Sequence, residues 1–438
     1  MLLTILIILL FVVVSYYSEM DLLGLWLVLL VTHGIYVKLA GDTFQNAPAI
    51  MGLYVIFAVF TRRGRRYWRH KKLNKSVLLL FAGLFITMII TGFLGINPEN
   101  SMFAMHLYMK GFVLTILIYL FVDSKKDVEK LARYYLAGAM IGVAWIAWEY
   151  FTDTMSGGDE WTKRAAGLRA DPNETAMLLV VGIPIAWYLA LNAGTRHWKA
   201  AYYAAVPLIM WGMVLTGSRG GLLALVLVIA MIIMNKPSVK KVLSSLLLLI
   251  AVITTAPGVL LDRTDHMVGE EKDGSIQERT DLLFTGLKVV AQKPLLGVGP
   301  GNIGQAIVAY KYRGHAEAEV PSYLFGEAFT VAHNLFLEMF GELGILGGFL
   351  FLGVIFFSLQ GYLKAYRRAR RKGEYFSLAY ALLAAMAGFL FAGLFLSQGK
   401  ESVLWFLLGM GLAYPASSRR RRKKRKRVTD SQTSLSYS

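Results

Sequence analysis

Apolar stretches long enough to cross a bilayer recur along almost the whole of this sequence. A hydrocarbon core about 30 Å thick needs roughly 20 residues of α-helix, and a backbone inside lipid must satisfy its own hydrogen bonds. Such stretches occur at 1–17, 21–39, 46–60, 76–95, 105–122, 134–152, 174–192, 199–216, 221–235, 240–256, 335–358, 376–395 and 401–416. With 56% hydrophobic and 17% charged residues, the chain has too little polar surface for a soluble protein of this length. We therefore expect an all-α, polytopic membrane protein with roughly 12–13 transmembrane helices.

The basic residues are concentrated in a few segments and suggest an orientation. Residues 61–75 carry eight Lys/Arg and no acid, 359–374 carry six, and Arg419–Arg427 is an unbroken basic run of nine. The long segment 257–332 instead holds seven Lys/Arg against ten Asp/Glu. By the positive-inside rule the basic segments, and with them the C-terminus, are cytoplasmic, and 257–332 faces outward. The net charge of +18 is thus typical of contact with anionic lipid, and we expect no nucleic-acid partner.

The sequence divides into one membrane domain and a tail. Residues 1–416 are expected to form the transmembrane domain, which contains the long and partly helical external loop 257–332. Residues 417–438 are expected to form a disordered cytoplasmic tail. Since the chain has no cysteine, thiol nucleophiles and disulfides are excluded.

The external loop contains a predicted amphipathic helix with an arginine in its first turn. Ser275-Ile-Gln-Glu278 fits a capping box that opens a helix running to about Gln292. Helical spacing predicts one shared face for Arg279, Leu283, Leu287 and Val290. An arginine at this end adds to the positive end of the helix dipole, which favours a nearby anion. The alternative is a helix that lies on the membrane surface.

A glycine-rich stretch, Gly297-Val-Gly-Pro-Gly-Asn302, follows that helix. A nucleotide-binding loop is rejected, because no strand precedes it and Pro300 interrupts the glycines. We expect a tight turn between two loop helices. The backbone N–H groups around Gly299 and Gly301 are then candidates for cradling a phosphate.

A second arginine lies in a short turn between two predicted spans, Leu215-Thr-Gly-Ser-Arg-Gly-Gly221. Arg219 is expected at the external membrane face, where an ionisable side chain usually faces a cavity or a partner. Snorkelling to lipid phosphates is the alternative. Ser218 and the glycines offer hydrogen-bond donors and close backbone approach, which favours a bound anion.

A third arginine belongs to Gly167-Leu-Arg-Ala-Asp-Pro-Asn173, at the end of another external loop. Arg169 is a candidate anion ligand or a partner for Asp171. Asn173 is a candidate supporting residue, or only the N-cap of the following span.

Residues 330–348, TVAHNLFLEMFGELGILGG, place a histidine at the start of a predicted span. Helical spacing puts His333 on one broad face with Phe336, Leu337, Phe340, Gly344 and Gly347. The two glycines are expected to allow close helix packing. Asn334, Glu338 and Glu342 form a separate polar stripe. Asn334 is a candidate supporting residue of the site, and the two acids are interpreted as structural. His333 is a candidate general base or an ordinary interface residue, and no second His or Asp at i+3 or i+4 supports a metal site.

The predicted topology places four of these residues at one membrane face: Arg169, Arg219, Arg279 and His333. Arginines recognise phosphate bidentately, and several suit a diphosphate. Histidine has the pKa of a general base near neutral pH. These are the parts that a membrane enzyme needs to displace a lipid diphosphate with an acceptor hydroxyl.

The order of these motifs resembles the O-antigen ligase/polymerase superfamily of C-type membrane glycosyltransferases. The motifs are RADPN, TGSRGG, Arg279 separated by fourteen residues from Pro294 and LLGVGPGN, and His333-Asn334 followed by Gly344 and Gly347. The resemblance covers about 165–350.

The resemblance implies a glycan donor linked to undecaprenyl diphosphate, at the periplasmic face of a bacterial inner membrane. It assigns the diphosphate to Arg219 and Arg279, with Arg169 as a further basic position, and activation of the acceptor hydroxyl to His333. It also implies an inverting reaction without metal or other cofactor. Family members differ in acceptor. We expect a ligase acting on lipid A-core, and the alternative is a polymerase that extends a lipid-linked glycan.

Two hypotheses from other classes stay open at this stage. A transporter of lipid-linked saccharide would also have many spans, but transporters usually carry charges at the membrane midplane and repeated halves, and no repeat is visible here. A non-catalytic assembly scaffold is the third possibility.

Overall fold

The computed structural model describes most of the membrane domain. The described residues are 11, 13–14, 18–40, 47–62, 74–155, 164–169, 171–254, 274–311, 313 and 331–414. The predicted tail 417–438, nearly all of the predicted span 1–17 and the capping side chains of Ser275 and Glu278 lie outside this description.

Every regular element in the described ranges is an α-helix. In chain order the helices are α1 Glu19–Val31, α2 His33–Ala40, α3 Ala47–Arg62, α4 Lys75–Leu94, α5 Pro98–Phe121, α6 Lys125–Phe151, α7 Pro172–Leu191, α8 Arg196–Leu215, α9 Arg219–Asn235, α10 Val239–Thr254, α11 Gly274–Gln292, α12 Ile303–Lys311, α13 Leu335–Arg370, α14 Leu378–Ala392 and α15 Ser402–Tyr414.

The helix lengths and apolar composition confirm an all-α, polytopic membrane protein. Five described helices (α4, α5, α6, α7 and α13) are long and apolar enough to cross a membrane, and α1 with α2 makes a sixth if that bent pair is one span. Shorter apolar helices occur within α3, α9, α10, α14 and α15. The total of 12–13 spans stays a prediction.

Two predicted spans are not single straight helices. The span predicted at 21–39 is broken at Thr32, where α1 and α2 meet at a bend of 63°. The span predicted at 335–358 extends to Arg370 and contains a residue with non-helical backbone angles, Gly344. Hydropathy detects apolar length and does not detect such breaks.

Local sequence signals explain where the helices begin. Ser124 accepts a hydrogen bond from the Asp127 amide, and the Asp127 carboxylate accepts in return from the Ser124 amide, which is a capping box. At α7 the N-cap is Asp171, with Pro172 in the first turn. The prediction that Asn173 is this N-cap is therefore wrong, and proline at the first helical position accounts for the shift.

Helix α7 lies at the centre of the bundle. It packs against α6, α8, α9 and α14, and 83% of its most apolar window is buried inside the protein, against 39% for α4. A helix buried on all sides must be apolar all round. Helix α13 packs against α4, α11 and α14, so its first residues lie between the bundle and the external-loop helices.

Candidate functional site

Helix α13 is broken at Gly344, nine residues after the Asn334–Leu335 start. The backbone angles of Gly344 are φ 68° and ψ −175°, a combination that is essentially restricted to glycine. Gly344 is thus required by the break and is not the helix-packing residue that the spacing predicts. A break in a membrane helix leaves N–H and C=O groups unpaired, and these need partners inside the protein.

The glycine-rich turn supplies those partners. The Ile345 amide donates to the Pro294 carbonyl at 2.7 Å, and the Gly341 and Glu342 carbonyls accept from the amides of Val298 and Gly299 at 2.9 Å each. The turn connects α11 and α12, as predicted, with positive φ at Gly297, Gly299 and Gly301 (66°, 92° and 78°).

Most amides of this turn have partners inside the protein, and the phosphate cradle at Gly299 and Gly301 stays a prediction. The amides of Val298 and Gly299 donate to α13, and those of Gly297 and Asn302 donate to carbonyls of the turn itself. These donors are used to hold the broken helix, so Gly299 and Gly301 have a structural role in the turn.

Asn302 fixes the turn to the start of α5. Its side chain is completely buried, and its Nδ2 donates to the Ser101 hydroxyl at 2.9 Å and to the carbonyls of Val298 and Asn97 at 3.0 and 3.1 Å. The Ile96 amide donates to the Val298 carbonyl at 3.0 Å. The turn therefore joins three segments: the α4–α5 junction, the α11–α12 pair and α13.

His333 immediately precedes the N-cap of α13. Its φ is +47°, and non-glycine residues in this region are uncommon and concentrated at functional sites. Asn334 caps the helix: its Oδ1 accepts from the amides of Phe336 and Leu337 at 2.9 Å each, and its Nδ2 donates to the Leu394 carbonyl at 3.0 Å. Asn334 thus fixes the position from which the half-buried His333 projects.

The loop at 393–401, between α14 and α15, contacts both the start of α13 and the start of α9. The Leu335 amide donates to the Gly393 carbonyl at 2.7 Å. On the other side of this loop, Gly220 lies against Phe395, since a Cβ on Gly220 would be 3.5 Å from the Phe395 Cβ. Only a few residues of the loop separate the start of α13 from the start of α9.

Arg219 is the first residue of α9, and its neighbour Ser218 is the N-cap. The Ser218 side chain is buried and accepts from the Gly221 amide at 3.2 Å. Arg219 itself is half-buried. The capped turn therefore holds Arg219 at the positive end of a helix dipole, which favours an anion there.

Arg279 lies in the first half of α11, which packs against α12 and α13. Gly286 meets Leu337, and the following segment up to Val298 runs beside Gly341. The helix thus runs alongside α13 in the same direction. Arg279, two turns before Gly286, is consequently directed toward the His333 end.

The apolar face predicted for α11 is not the face that packs against the protein. Leu282 and Val289 are buried, whereas Leu283 and Leu287 are 37% and 51% exposed. The edge formed by Leu282, Gly286 and Val289 faces α13. Gly286 has no Cβ, which leaves room for the Leu337 side chain of α13.

Arg169 is held by the protein through its whole guanidinium group. It forms an ion pair with Glu401, Nη2 to Oε2 at 2.8 Å, and its Nη1 and Nη2 donate to the carbonyls of Val31 and Leu30 at 3.1 and 3.2 Å. Burial acts to lower the pKa of this guanidinium, but the charge and hydrogen bonds of Glu401 together with the charge of Glu174 outweigh it, and the pKa is raised. Its carboxylate partner is Glu401, 232 residues away, and not the nearby Asp171 that the sequence suggested.

A buried arginine that the motifs did not indicate, Arg164, joins two of them. Its Nε donates to the Thr216 carbonyl at 2.8 Å, and its Nη2 donates to the Asn173 side chain at 3.1 Å. Asn173 also donates to Asp171. Asn173 therefore helps to fix the 164–169 loop to the Arg219 turn.

The two acids of the predicted polar stripe form an ionic cluster with Lys400. Glu338 and Glu342 are 3% and 0% exposed, and the Lys400 Nζ lies 3.9 Å from one carboxylate oxygen of each. The Tyr108 hydroxyl donates to Glu342 Oε2 at 3.1 Å, and the Gly399 amide donates to Glu338 Oε2 at 2.9 Å. The sequence analysis gave the two acids a structural role. It did not identify Lys400, which lies about 60 positions away in the short polar segment SQGKE and belongs to no recognisable motif.

The charges of the two acids act on Lys400. Burial lowers the pKa of its ammonium group, but the charges of Glu342, Glu338 and Glu174 together outweigh burial, so that its pKa is raised above the ordinary lysine value. Lys400 is therefore protonated at neutral pH, and its charge holds the 393–401 loop against α13.

Fold and site together define a class: a polytopic, all-α membrane protein with a histidine at the start of a broken helix and arginines at the start of α9 and early in α11. A family model described as O-antigen ligase matches residues 204–352, which include Arg219, Arg279, His333 and the break at Gly344. The match confirms the resemblance to the O-antigen ligase/polymerase superfamily and supports a membrane glycosyltransferase of that type. None of the curated proteins compared with the chain matches it.

Proposed function

We propose that this protein transfers a glycan from an undecaprenyl-diphosphate-linked donor to a hydroxyl group of an acceptor, at the outer face of a bacterial inner membrane. The proposal rests on one observation above all. The capped start of α13, which carries His333 at a positive φ, and the capped start of α9, which carries Arg219, meet at the same 393–396 segment.

The reaction divides between the base and the cations. His333 accepts the proton of the acceptor hydroxyl, and the oxygen attacks the anomeric carbon of the donor sugar. The bond between that carbon and the diphosphate oxygen breaks, and the diphosphate leaves with the bonding electron pair. Attack opposite the leaving group inverts the anomeric centre, and the proton stays on His333 until it is released to solvent.

Arg219 and Arg279 hold the diphosphate in this proposal. Charge grows on the leaving group in the transition state, and arginines placed in advance stabilise it without reorganisation. Two arginines on separate elements, α9 and α11, suit the two phosphates of one diphosphate. No cofactor enters the mechanism.

Arg169 has a conditional place in the mechanism. Its N–H groups donate to Glu401 and to carbonyls of α1, so it becomes a diphosphate ligand only when the Glu401 ion pair opens. In the closed arrangement it positions the 393–401 loop.

The acceptor is proposed to be lipid A-core, which makes the protein a ligase in lipopolysaccharide biosynthesis. A polymerase that extends a lipid-linked glycan uses the same chemistry. Incubation of the purified protein with a lipid-linked donor and each acceptor in turn, followed by mass analysis of the products, distinguishes the two. Movement of the donor across a liposome bilayer without a new glycosidic bond would instead favour the transporter hypothesis.

The mechanism is tested with His333→Ala and the matched control His197→Ala, since His197 is an exposed histidine at the start of α8. Loss of a general base is expected to lower transfer by about 10²–10⁴-fold, while donor binding is retained and the control keeps its activity. Arg219→Ala is expected to weaken donor binding as well as turnover. Full transfer by His333→Ala would refute the mechanism. Full transfer by both His333→Ala and Arg219→Ala would favour the scaffold hypothesis.

A further inference from the structure

A small cavity lies beside His333, and the mechanism above does not use it. Its volume is about 110 Å³, and its lining comes from α5, the glycine turn, α13 and the 393–401 loop. Val331 and Ala332, the two residues before His333, belong to the lining, as do Glu338, Glu342, Ser397 and Lys400.

Two polar atoms in this lining are buried without a hydrogen-bond partner in the described structure: Glu342 Oε1 and Ser397 Oγ. An unsatisfied buried polar atom costs about 1–3 kcal/mol, so two in one cavity indicate that something else completes their hydrogen bonds. The cavity is far larger than the roughly 10–15 Å³ that one water needs.

The ionic contacts around Lys400 leave a gap of the right size for an oxygen atom. Its Nζ is 3.9 Å from Glu338 Oε1 and 3.9 Å from Glu342 Oε1, too far for direct hydrogen bonds. A polar contact of this length is often bridged by another group. An oxygen atom about 2.8 Å from both Nζ and Glu342 Oε1 fits beside the line that joins them.

The charges and hydrogen-bonding groups of the lining indicate which kind of chemical group carries that oxygen. A hydroxyl group donates one hydrogen bond and accepts others, so it can donate to Glu342 Oε1 while it accepts from Lys400. Two carboxyl groups against one ammonium disfavour a phosphate. Arg219 and Arg279 do not belong to the lining, so the diphosphate end of the donor has no cation to hold it there other than Lys400.

We propose that this cavity is a saccharide subsite that binds the hydroxyl-bearing edge of the acceptor's terminal sugar. The inference rests on the proposed glycosyl transfer, and it names how the acceptor is recognised. One edge of the sugar enters the cavity, and the hydroxyl to be glycosylated remains outside it, next to His333.

The test uses variants that remove a hydrogen-bonding group without unfolding the protein. Ser397→Ala deletes an unsatisfied hydroxyl, which is neutral or stabilising if the serine only fills space. Glu342→Gln keeps the acceptor for Tyr108 and removes the charge. Ser358→Ala is the matched control, because Ser358 is a fully buried serine in the second half of α13, distant from the cavity lining.

Binding is measured first, without catalysis. Saturation-transfer NMR on the full-length protein in nanodiscs, with methyl α-glucoside, galactoside and mannoside as probes, is expected to detect at least one of them. Ser397→Ala and Glu342→Gln should weaken that binding by about tenfold, the effect of one lost hydrogen bond to a charged or polar partner. Ser358→Ala should bind like wild type, and a permethylated glycoside should not bind.

Transfer kinetics give the second measurement. Both cavity variants are expected to raise the KM for the acceptor by about tenfold, with the KM for the donor unchanged. Three outcomes would each overturn the subsite. The probes could bind wild type and Ser397→Ala equally, or no probe could bind wild type, which would mean that the cavity holds only water. The third is a rise in the donor KM equal to that in the acceptor KM. If wild type binds a glycoside but transfers nothing, the proposed function fails and the saccharide site stands.

Discussion

The two halves of α13 belong to one helix but have different surroundings. Residues 335–343 carry the buried acids, begin at a side-chain cap and end at a break that the glycine turn completes. Residues 345–370 expose large apolar side chains such as Leu346 and Phe349 (55% and 61%) and end in a basic turn. The first half is enclosed by protein, and the second is built for lipid.

The difference shows what a polar site inside a membrane protein requires. Buried carboxylates and broken backbone are costly in lipid unless other segments supply partners. In the first half those partners come from three separate places: Tyr108 of α5, the glycine turn, and Gly399 with Lys400 in the 393–401 loop. Substitutions that remove these partners should therefore destabilise the protein more than substitutions around the second half of α13.

The largest effect is expected from Gly344→Ala. A Cβ would have to occupy a glycine-only backbone conformation and would meet the Leu295 carbonyl, at a cost of about 3–5 kcal/mol. The folded yield by fluorescence-detected size-exclusion chromatography should fall sharply. The control is Gly353→Ala, since Gly353 lies in the second half and faces only the end of the Leu80 side chain. Equal folded yields of the two variants would refute the distinction between the two halves of α13.

Lys400→Met should have the next largest effect. It leaves Glu338 and Glu342 buried without their cation, and removing one partner of a buried ion pair typically costs about 3–5 kcal/mol, reduced here because Lys400 is partly exposed. Thermal unfolding should occur at a lower temperature. Addition of Glu342→Gln to Lys400→Met should restore part of the loss; a further decrease would show that the pair is not coupled.

The raised pKa of Lys400 also predicts a pH dependence. A lysine whose folded pKa lies above its unfolded value stabilises the protein while it is protonated, and this contribution is lost as the pH rises through the folded pKa. Thermal stability should therefore fall above about pH 10.5, and it should fall less in Lys400→Met.

A moderate effect is expected from Asn302→Ala. The variant removes the buried amide that joins the glycine turn to α5, and loss of such hydrogen bonds costs about 1–2 kcal/mol. Asn235→Ala is the control at the far end of α9, where the amide donates to Tyr366 at 3.3 Å. The Asn302 variant should lose more thermal stability than the control, and a reversed order would contradict the role of the turn.

The smallest effect is expected on the lipid-facing side of the second half. Leu346→Val changes an exposed side chain and should alter the unfolding free energy by less than about 0.5 kcal/mol. A large loss in thermal unfolding would show that this surface is covered by protein and is not in contact with lipid.

The sequence predicted the helices well because apolar length is a local signal. The end points of α4, α8, α9 and α10 lie within a few residues of the predicted spans. The break at Gly344 was not predicted, because a lone glycine in an apolar run is equally typical of close helix packing. The use of the turn's amides was missed for the same reason, since only the fold shows that Val298 and Gly299 donate to α13.

Contacts over long sequence distances account for the remaining differences. The four candidate residues His333, Arg169, Arg219 and Arg279 could be singled out from motifs and charge, and their roles stay predictions. The contacts of the 393–401 loop with the starts of α13 and α9 and with Arg169 could not be found, because neither Gly393 nor Glu401 has a distinctive local pattern. Pairing of Glu338 and Glu342 with Lys400 is equally invisible without the fold.

The position of the 393–401 loop has a consequence for biogenesis. A chain is made and inserted from its N-terminus, so the segment that matches the O-antigen ligase model, 204–352, enters the membrane before the loop has been synthesised. Until residue 401 emerges, Arg169 lacks its carboxylate, the buried acids lack Lys400, and the start of α13 lacks Gly393. The polar contacts at the start of α13 are thus incomplete until the last described helices arrive, and the matched segment produced by itself is not expected to fold as it does in the whole chain.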